Sequence, residues 1–461
     1  MSKKIVIVGG GPGGVAAAVR ARQLGAETIL VEMKHLGGVC MNLGCIPMRI
    51  LGSASEAAAA ALGAERLGLL PLTPELDPEA LKKRLDRTVN YLRLGTRSLL
   101  KTNGVTVIEG NAALTPSGQV QVEGKTLASD AVILAVGADW APPEPSGAPL
   151  DEVGPPDLAL DLTRPHRRML IAGEADWAVE LAAFFSRFGR RVILAAPGDF
   201  LPRFDRQIGS RLRAILKKDG IEVLRQTRVG AVKRSANGLD VTLTVKGKTE
   251  TRAVDRVILA DRTPRTGPLD LPRAGIETAG GAVVVNSRLE TTRPGVFAIG
   301  DLVGPPYYSH KASAHGITAA ENAMGAGREF DGRNIPSVVY TRPEAASVGL
   351  TEKQARAEYD RVVVGEVPYG FNARAMAELE DGGVARAVFG TRYQKLLGVH
   401  LLGPQSAELI TQAVMALKLE ATADELAALI APHPSYAESL ADAARMALGR
   451  AMYAPNPDPA A

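Results

Sequence analysis

Cys40 and Cys45 are the two cysteines of the 461-residue chain, and both fall in the stretch GGVCMNLGCIP from Gly37 to Pro47. Four residues separate them. Free cysteines can be inert core residues, since the thiol is among the most buried side chains. Core cysteines need no glycines around them, however. Gly37, Gly38 and Gly44 bracket this pair, and glycine lets a bound group approach the backbone closely. A zinc site requires further ligands beside two thiols; His35 is near enough in sequence to be a third, and no fourth stands out. A disulfide over so short a loop adds little stability by loop closure. Its likelier value is exchange, in which a thiolate attacks one sulfur and the other leaves.

A redox pair needs a base. Histidine is rare here, six in all, and His433 stands between Pro432 and Pro434 with Glu438 five residues on, at the opening of a final helix that runs to Ala447. Such a histidine can be a cap or a solvent-facing group. It can also be a base, the carboxylate fixing its tautomer and raising its proton affinity. His35 is the competitor near the cysteines in sequence.

The elements that would position these groups begin with a short apolar run, Ile5 to Val8, which reads as a buried parallel strand. Gly9, Gly11 and Gly14 then satisfy G-x-G-x-x-G, a helix follows from Val15 to Leu24, and a second strand, Thr28 to Val31, ends at Glu32. Strand, glycine turn, helix, strand and acid make a dinucleotide fingerprint. The glycines admit a pyrophosphate to the helix N-terminus, and the carboxylate takes a ribose hydroxyl. The bland alternative is a glycine turn that binds nothing.

A second such unit follows: strand Met169 to Ala172, helix Val179 to Phe188, strand Val192 to Ala195. Its turn reads Gly173-Glu174-Ala175-Asp176-Trp177-Ala178, with one glycine left and two acids added, and its second strand ends in Ala195-Ala196-Pro197 without a ribose-binding acid. Acids stabilise a helix N-terminus but repel a pyrophosphate. The unit is therefore either kept for packing or an unusual nicotinamide site. Pro142 to Pro165 has a linker's composition. A strand from Arg293 runs into Gly300-Asp301, a helix spans Ser309 to Ala323, and beyond Pro336 hairpins and helices predict an α+β unit with one antiparallel sheet.

Composition narrows the function. Hydrophobic residues are 46% and charged residues 23%, an ordinary globular balance. Aromatics at 4% do not favour stacking on single-stranded nucleic acid, and a net charge of +4 with no long basic run gives no nucleic-acid footprint. The start, MSKKIVIVGGG, reads as neither a signal peptide nor a membrane helix, so the cytoplasm is the expected compartment and no membrane partner is expected.

With those residues placed, the chain resembles the flavin-dependent pyridine nucleotide–disulfide oxidoreductases along nearly its whole length, and most of all the dihydrolipoamide dehydrogenase branch. GGVCMNLGCIP matches the family's redox-active disulfide motif. Gly9, Gly11, Gly14 and Glu32 match its FAD adenosine site, and Gly300-Asp301 its second FAD segment. Gly38, beside the cysteine motif, and Gly137, near the domain crossover, join the expected FAD-binding set. His310-Lys311-Ala312, Asn372-Ala373-Arg374-Ala375, Gly398-Val399-His400 and His433-Pro434 with Glu438 also match.

The resemblance implies an α/β fold of two Rossmann-like nucleotide-binding domains plus a C-terminal α+β dimerisation domain. The expected boundaries are 1–145 for the first part of the FAD domain, 146–269 for the degenerate NAD(P)-like domain, 270–335 for the rest of the FAD domain and 336–461 for dimerisation. It implies a homodimer with FAD in each subunit and no metal. Cys45 is then the flavin-proximal thiol, Cys40 the interchange thiol, and His433, oriented by Glu438, the proton shuttle acting across the dimer. The expected substrate is a dithiol or disulfide, a lipoyl group on a protein before a small disulfide. No further C-terminal cysteine pair is present, which argues against mercuric reductases and the thioredoxin reductases that use one.

Two departures from the family pattern matter. Met48-Arg49 stands where Ser-Lys is usual, with the matching glutamate kept as Glu180, so an Arg49–Glu180 pair is expected. Asp176 takes the place of the aromatic gate of the nicotinamide pocket, and Asp261 and Arg265 replace the glycine and asparagine of a Gly-Arg-x-Pro-Asn segment that retains Arg262 and Pro264. Weak or absent NAD(P) use is therefore expected, with a different electron partner. The alternatives are a conventional NAD(P)-dependent dihydrolipoamide dehydrogenase, a non-catalytic flavoprotein subunit and an oxygen-using FAD oxidase.

Overall fold

The computed structural model describes residues 2–140, 151–162 and 166–456. The N-terminal fingerprint folds as strand β1 (Lys4–Val8), helix α1 (Pro12–Gln23) and strand β2 (Glu27–Glu32). They lie in a five-stranded parallel sheet in the order Val296–Ala298, Ala131–Leu134, β1, β2, Thr106–Glu109. Ile5, Val6 and Ile7 are fully buried, as the continuous apolar run requires of a strand covered on both faces.

Helix α1 packs on the helix Ser309–Ala323, drawn from far along the chain. The approach depends on small residues. A Cβ on Gly316 would lie 2.2 Å from the Gly13 carbonyl oxygen, and one on Gly13 would lie 2.8 Å from that of Ala312. At the far end Arg20 binds Glu321 at 2.7 Å, and Arg328 takes the other carboxylate oxygen at 2.6 Å.

The second parallel sheet has the order Ile221–Leu224, Arg191–Ala195, Arg168–Ala172, Arg256–Leu259, Val153–Gly154. Its last strand corrects the linker reading of Pro142 to Pro165, in so far as residues 151–162 are described. Val153, fully buried, pairs with Val257, and the turn Pro156–Leu160 buries Leu160 against the same unit. Two residues are too short to carry a strand pattern, so their partner decides their state. Beside this sheet lies an antiparallel one, Thr227–Ser235, Gly238–Val245 and Lys248–Val254. Residues 141–150 and 163–165 lie outside the described residues.

The C-terminal part is built on a five-stranded antiparallel sheet, Ser337–Val339, Glu344–Gly349, Leu396–Gly403, Val384–Gly390, Val362–Pro368. Arg386 stands in its centre, buried. It binds Asp205, the cap of the helix Arg206–Lys218 in the second unit, and Glu352 and Glu366, each at 2.8 Å. Two expected elements are shorter than read. The strand from Arg293 narrows to Val296–Ala298, and the final helix begins at Glu438, leaving His433 in the preceding turn. Prolines on both sides of His433 deny that segment its backbone donors and its helical continuation.

Candidate active site

The turn from β1 into α1 is shaped by its glycines. Gly9 has φ +107° and donates its N–H to the Val31 carbonyl at 2.8 Å. A Cβ on Gly14 would lie 1.8 Å from the Gly9 carbonyl oxygen, so Gly14 serves the tight turn from beneath. At Gly11, the cap of α1, a Cβ would meet nothing nearer than the Gly38 Cα at 3.9 Å, so this face is open. Glu32 closes β2, and its carboxylate accepts the N–H groups of Gly10 at 2.7 Å and Lys34 at 2.8 Å.

A cleft of about 550 Å³ starts at Gly9, Gly11 and Glu32 and ends at the two cysteines. Gly38, Gly137, Gly300 and Asp301 line it on the way. A second hollow of about 360 Å³ adjoins it beyond Glu32, toward Asn111 and Arg265. The predicted cofactor residues thus share one elongated cavity, with Gly14 just below its floor. The Asp301 carboxylate binds Arg262 at 2.7 Å, and both are largely buried. The Nε of Arg262 is buried without a partner among the described residues, as suits a group that faces a ligand. An open helix N-terminus, an acid at the ribose position and a length of cavity running on to a redox pair fit FAD.

At the far end lie helices α2 (Gly38–Asn42) and α3 (Cys45–Leu62). Cys40 is on α2 and Cys45 is the first residue of α3. Gly44 joins them because nothing larger fits: a Cβ there would lie 2.8 Å from the Trp177 ring and 3.0 Å from the Cys40 Cα. The two thiols face each other, unbridged. The interaction with Cys40, above all, lowers the Cys45 thiol to about 6, with help from the Ser309 hydroxyl at 3.3 Å, while the same interaction and burial push Cys40 well up. The pair is thus split into a thiolate at Cys45 and a thiol at Cys40.

Arg49 and Glu180 are brought to this end but not to each other. Arg49 reaches Glu56 at 3.0 Å and lies over the Tyr340 ring at 4.7 Å. The Glu180 carboxyl accepts the Tyr340 N–H at 2.9 Å. Burial pushes Glu180 up to about 8. A neutral acid offers the guanidinium less than the half-exposed Glu56 does, which corrects the expected ion pair.

His433 Nδ1 lies 2.9 Å from the Glu438 carboxylate, whose other oxygen accepts the Ser435 N–H at 2.8 Å. The imidazole is 70% exposed and does not line the cleft of its own chain.

The second nucleotide turn is filled by its own acids. The Asp261 carboxylate lies beside the turn, 3.3 Å from where a Gly173 Cβ would stand and facing the backbone N–H of Glu174. The Glu174 carboxylate lies 2.6 Å from where a Gly198 Cβ would stand. Asp176, at the start of the helix Asp176–Arg187, faces the Tyr308 hydroxyl, and burial pushes it up to about 6. Trp177 packs on Trp140, ring centres 4.9 Å apart. Ser309, Tyr308 and Tyr340 were missed in the sequence; the available signal was that Tyr308-Ser309 directly precede the matched His310-Lys311-Ala312. No cluster of three or more His, Cys, Asp or Glu side chains able to hold a metal ion occurs among the described residues. Nor is any described helix long and apolar enough to cross a membrane.

Residues 3–327 match the pyridine nucleotide-disulphide oxidoreductase family, and residues 335–444 match the dimerisation domain of the same family. A dihydrolipoyl dehydrogenase of Thermus scotoductus is 38% identical over 452 residues, covering 95% of this chain and 96% of that one. Among solved structures, LpdA from Mycobacterium tuberculosis superposes with a TM-score of 0.88 at 25% identity, over 96% of this chain and 99% of that one. The HOCl-induced flavoprotein disulfide reductase RclA from Escherichia coli superposes with a TM-score of 0.82 at 26% identity, over 96% and 99%. Fold, cleft and dithiol therefore meet in one lineage, and the chain belongs to the pyridine nucleotide-disulphide oxidoreductases, as a flavoprotein disulfide oxidoreductase resembling dihydrolipoamide dehydrogenase.

Proposed function

We propose that the chain oxidises or reduces a lipoyl-type dithiol through Cys40 and Cys45, with weak or no use of NAD(P)H. The observation that carries the dithiol chemistry is the split pair at the end of the cleft, Cys45 lowered and Cys40 raised. FAD, held along Gly9, Gly11, Glu32, Gly38, Gly137, Gly300 and Asp301, supplies a two-electron acceptor when bound.

In the oxidising direction a substrate thiolate attacks Cys40 Sγ of the Cys40–Cys45 disulfide. A mixed disulfide forms at Cys40, and the bonding pair leaves on Cys45, where a low proton affinity makes a good leaving group. The second substrate thiol then attacks the mixed disulfide and releases Cys40. Each substrate thiol must lose its proton first, and His433 of the partner subunit takes it. Glu438 fixes the histidine tautomer through Nδ1, so that Nε2 is the proton-carrying atom. The exposure of His433 and its absence from the cleft of its own chain support service across a dimer.

Three carboxylates at the second nucleotide turn favour a poor nicotinamide site and an electron partner other than NAD(P). The test is anaerobic stopped-flow mixing with dihydrolipoamide, NADH and NADPH separately. Fast appearance of the long-wavelength absorbance of a thiolate beside oxidised flavin with the dithiol, and only slow, unsaturable change with both nicotinamides, is the expected result. Fast, saturable appearance of that absorbance with NADH would establish a conventional dehydrogenase instead.

A further inference from the structure

We propose that Ser309 binds the Cys45 thiolate, its hydroxyl donating to the sulfur that leaves when the disulfide opens. The proposal deepens the reaction above and rests on Cys45 being the departing sulfur.

The hydroxyl stands 3.3 Å from Cys45 Sγ, within the range of a hydrogen bond to sulfur. Ser309 is the first residue of its helix, where serine commonly serves as a cap, yet here Tyr308 holds the cap position and no side-chain cap bond is made. Its hydroxyl is therefore spent on the sulfur rather than on the helix. Cys45 is likewise the first residue of α3, so the N-termini of two long helices meet at one sulfur atom. Both place partial positive charge there, which favours the thiolate.

The segment carrying Ser309 is held from both sides. The Tyr308 hydroxyl faces Asp176 and Ser337, and its ring stacks on His310 with centres 5.0 Å apart and Arg203 at 5.9 Å from the ring centre. His310 bonds the Pro336 carbonyl at 2.9 Å, and the buried Lys311 ammonium donates to the Gly304 carbonyl at 2.6 Å. The hydroxyl is thus positioned before the sulfur is released, so little reorganisation accompanies bond breaking.

The groups facing the sulfur are few. Cys40 on α2, Ser309 and the Cys45 backbone favour the thiolate, while Asp301 and Glu180 oppose it. Asp301 is neutralised by Arg262 at 2.7 Å, and Glu180 is an acid that burial keeps neutral. In the step itself the substrate–Cys40 bond forms, the Cys40–Cys45 bond breaks and the electron pair stays on Cys45. Ser309 keeps its proton and donates only a hydrogen bond.

The experiment is residue-resolved alkylation of the phosphine-reduced holoprotein with iodoacetamide from pH 4 to 10, with Cys40 and Cys45 quantified separately by peptide mass spectrometry. Ser309→Ala should move the Cys45 midpoint up by about one pH unit, a tenfold loss in the thiol dissociation constant. Ser309→Thr, which keeps the hydroxyl, should leave it in place, with melting temperatures unchanged. A Ser309→Ala profile superposing on the parent overturns the proposal, and so does an equal shift in Ser309→Thr. Because no lipoyl substrate or nicotinamide enters the measurement, a failed dithiol reaction and a failed Ser309 role give separate results.

Discussion

Replacing the two acids that fill the second nucleotide turn should restore nicotinamide binding. The variant is Glu174→Gly with Asp261→Gly. In the parent the Asp261 carboxylate faces the Glu174 N–H, the amide a pyrophosphate would use, and the Glu174 carboxylate lies against Gly198. Freeing one charge-assisted hydrogen bond for the ligand is worth about 1.5–3 kcal/mol. Two unit charges about 6 Å apart at an effective dielectric near 20 repel by about 3 kcal/mol, and partial exposure reduces that severalfold. About 3 kcal/mol in all corresponds to roughly a hundredfold gain in affinity. Asp261 is itself pushed up by burial, so its removal relieves a cost and should not unfold the domain. The assay is anaerobic flavin bleaching against NADH concentration. The parent should show a linear, unsaturated dependence, and the double variant a slope about a hundred times greater. Saturation of the parent at micromolar NADH, or an unchanged slope in the variant, would refute the electrostatic argument.

Three further outcomes follow from the geometry. The long-wavelength absorbance of a thiolate beside oxidised flavin should persist in the two-electron-reduced protein through pH 7 and fade as the pH drops below 6, because the Cys45 value is depressed from its ordinary 9.0 to about 6 and the thiolate is the form favoured above it; a spectrophotometric pH titration reads the midpoint. Arg386→Met should cost about 3–5 kcal/mol in urea-unfolding experiments, since it strands the buried Asp205 beside Glu352 and Glu366. His433→Gln should slow the appearance of that long-wavelength absorbance with dihydrolipoamide by about 10²–10⁴-fold while flavin bleaching by dithionite, which needs no proton shuttle, is unchanged.

The first nucleotide unit was legible because each of its residues answers to a local rule. Gly9, Gly11, Gly14 and Glu32 all stand where strand, turn and helix geometry require them. The same rule made the filled second turn readable from its acids. What could not be read depends on partners distant in sequence. Val153–Gly154 is a strand only because Val257 and Ile258 lie beside it. Lys248–Val254 is a charged, half-exposed strand whose pattern resembles a loop until Gly238–Val245 pairs with it. The family pattern pairs Arg49 with Glu180, yet the preference for Glu56 is set by the burial of Glu180, which no spacing reveals. Ser309 lies 264 residues from Cys45, and only folding brings its hydroxyl to the sulfur.

The order of strands in the first sheet bears on how the protein is made. Val296–Ala298 pairs with Ala131–Leu134, and the helix that covers α1 starts at Ser309. All strands of the second parallel sheet lie between Val153 and Leu259. During synthesis, at about 5–20 residues per second, the 161 residues between Leu134 and Val296 take about 8–32 s, and the second sheet is completed within that wait for the last strand of the first. Throughout that interval Ala131–Leu134, buried at every residue in the finished protein, is an open apolar edge. A ribosome that stalls before Val296 leaves a finished insertion beside an unclosed host, and this strand is the one a chaperone has to cover.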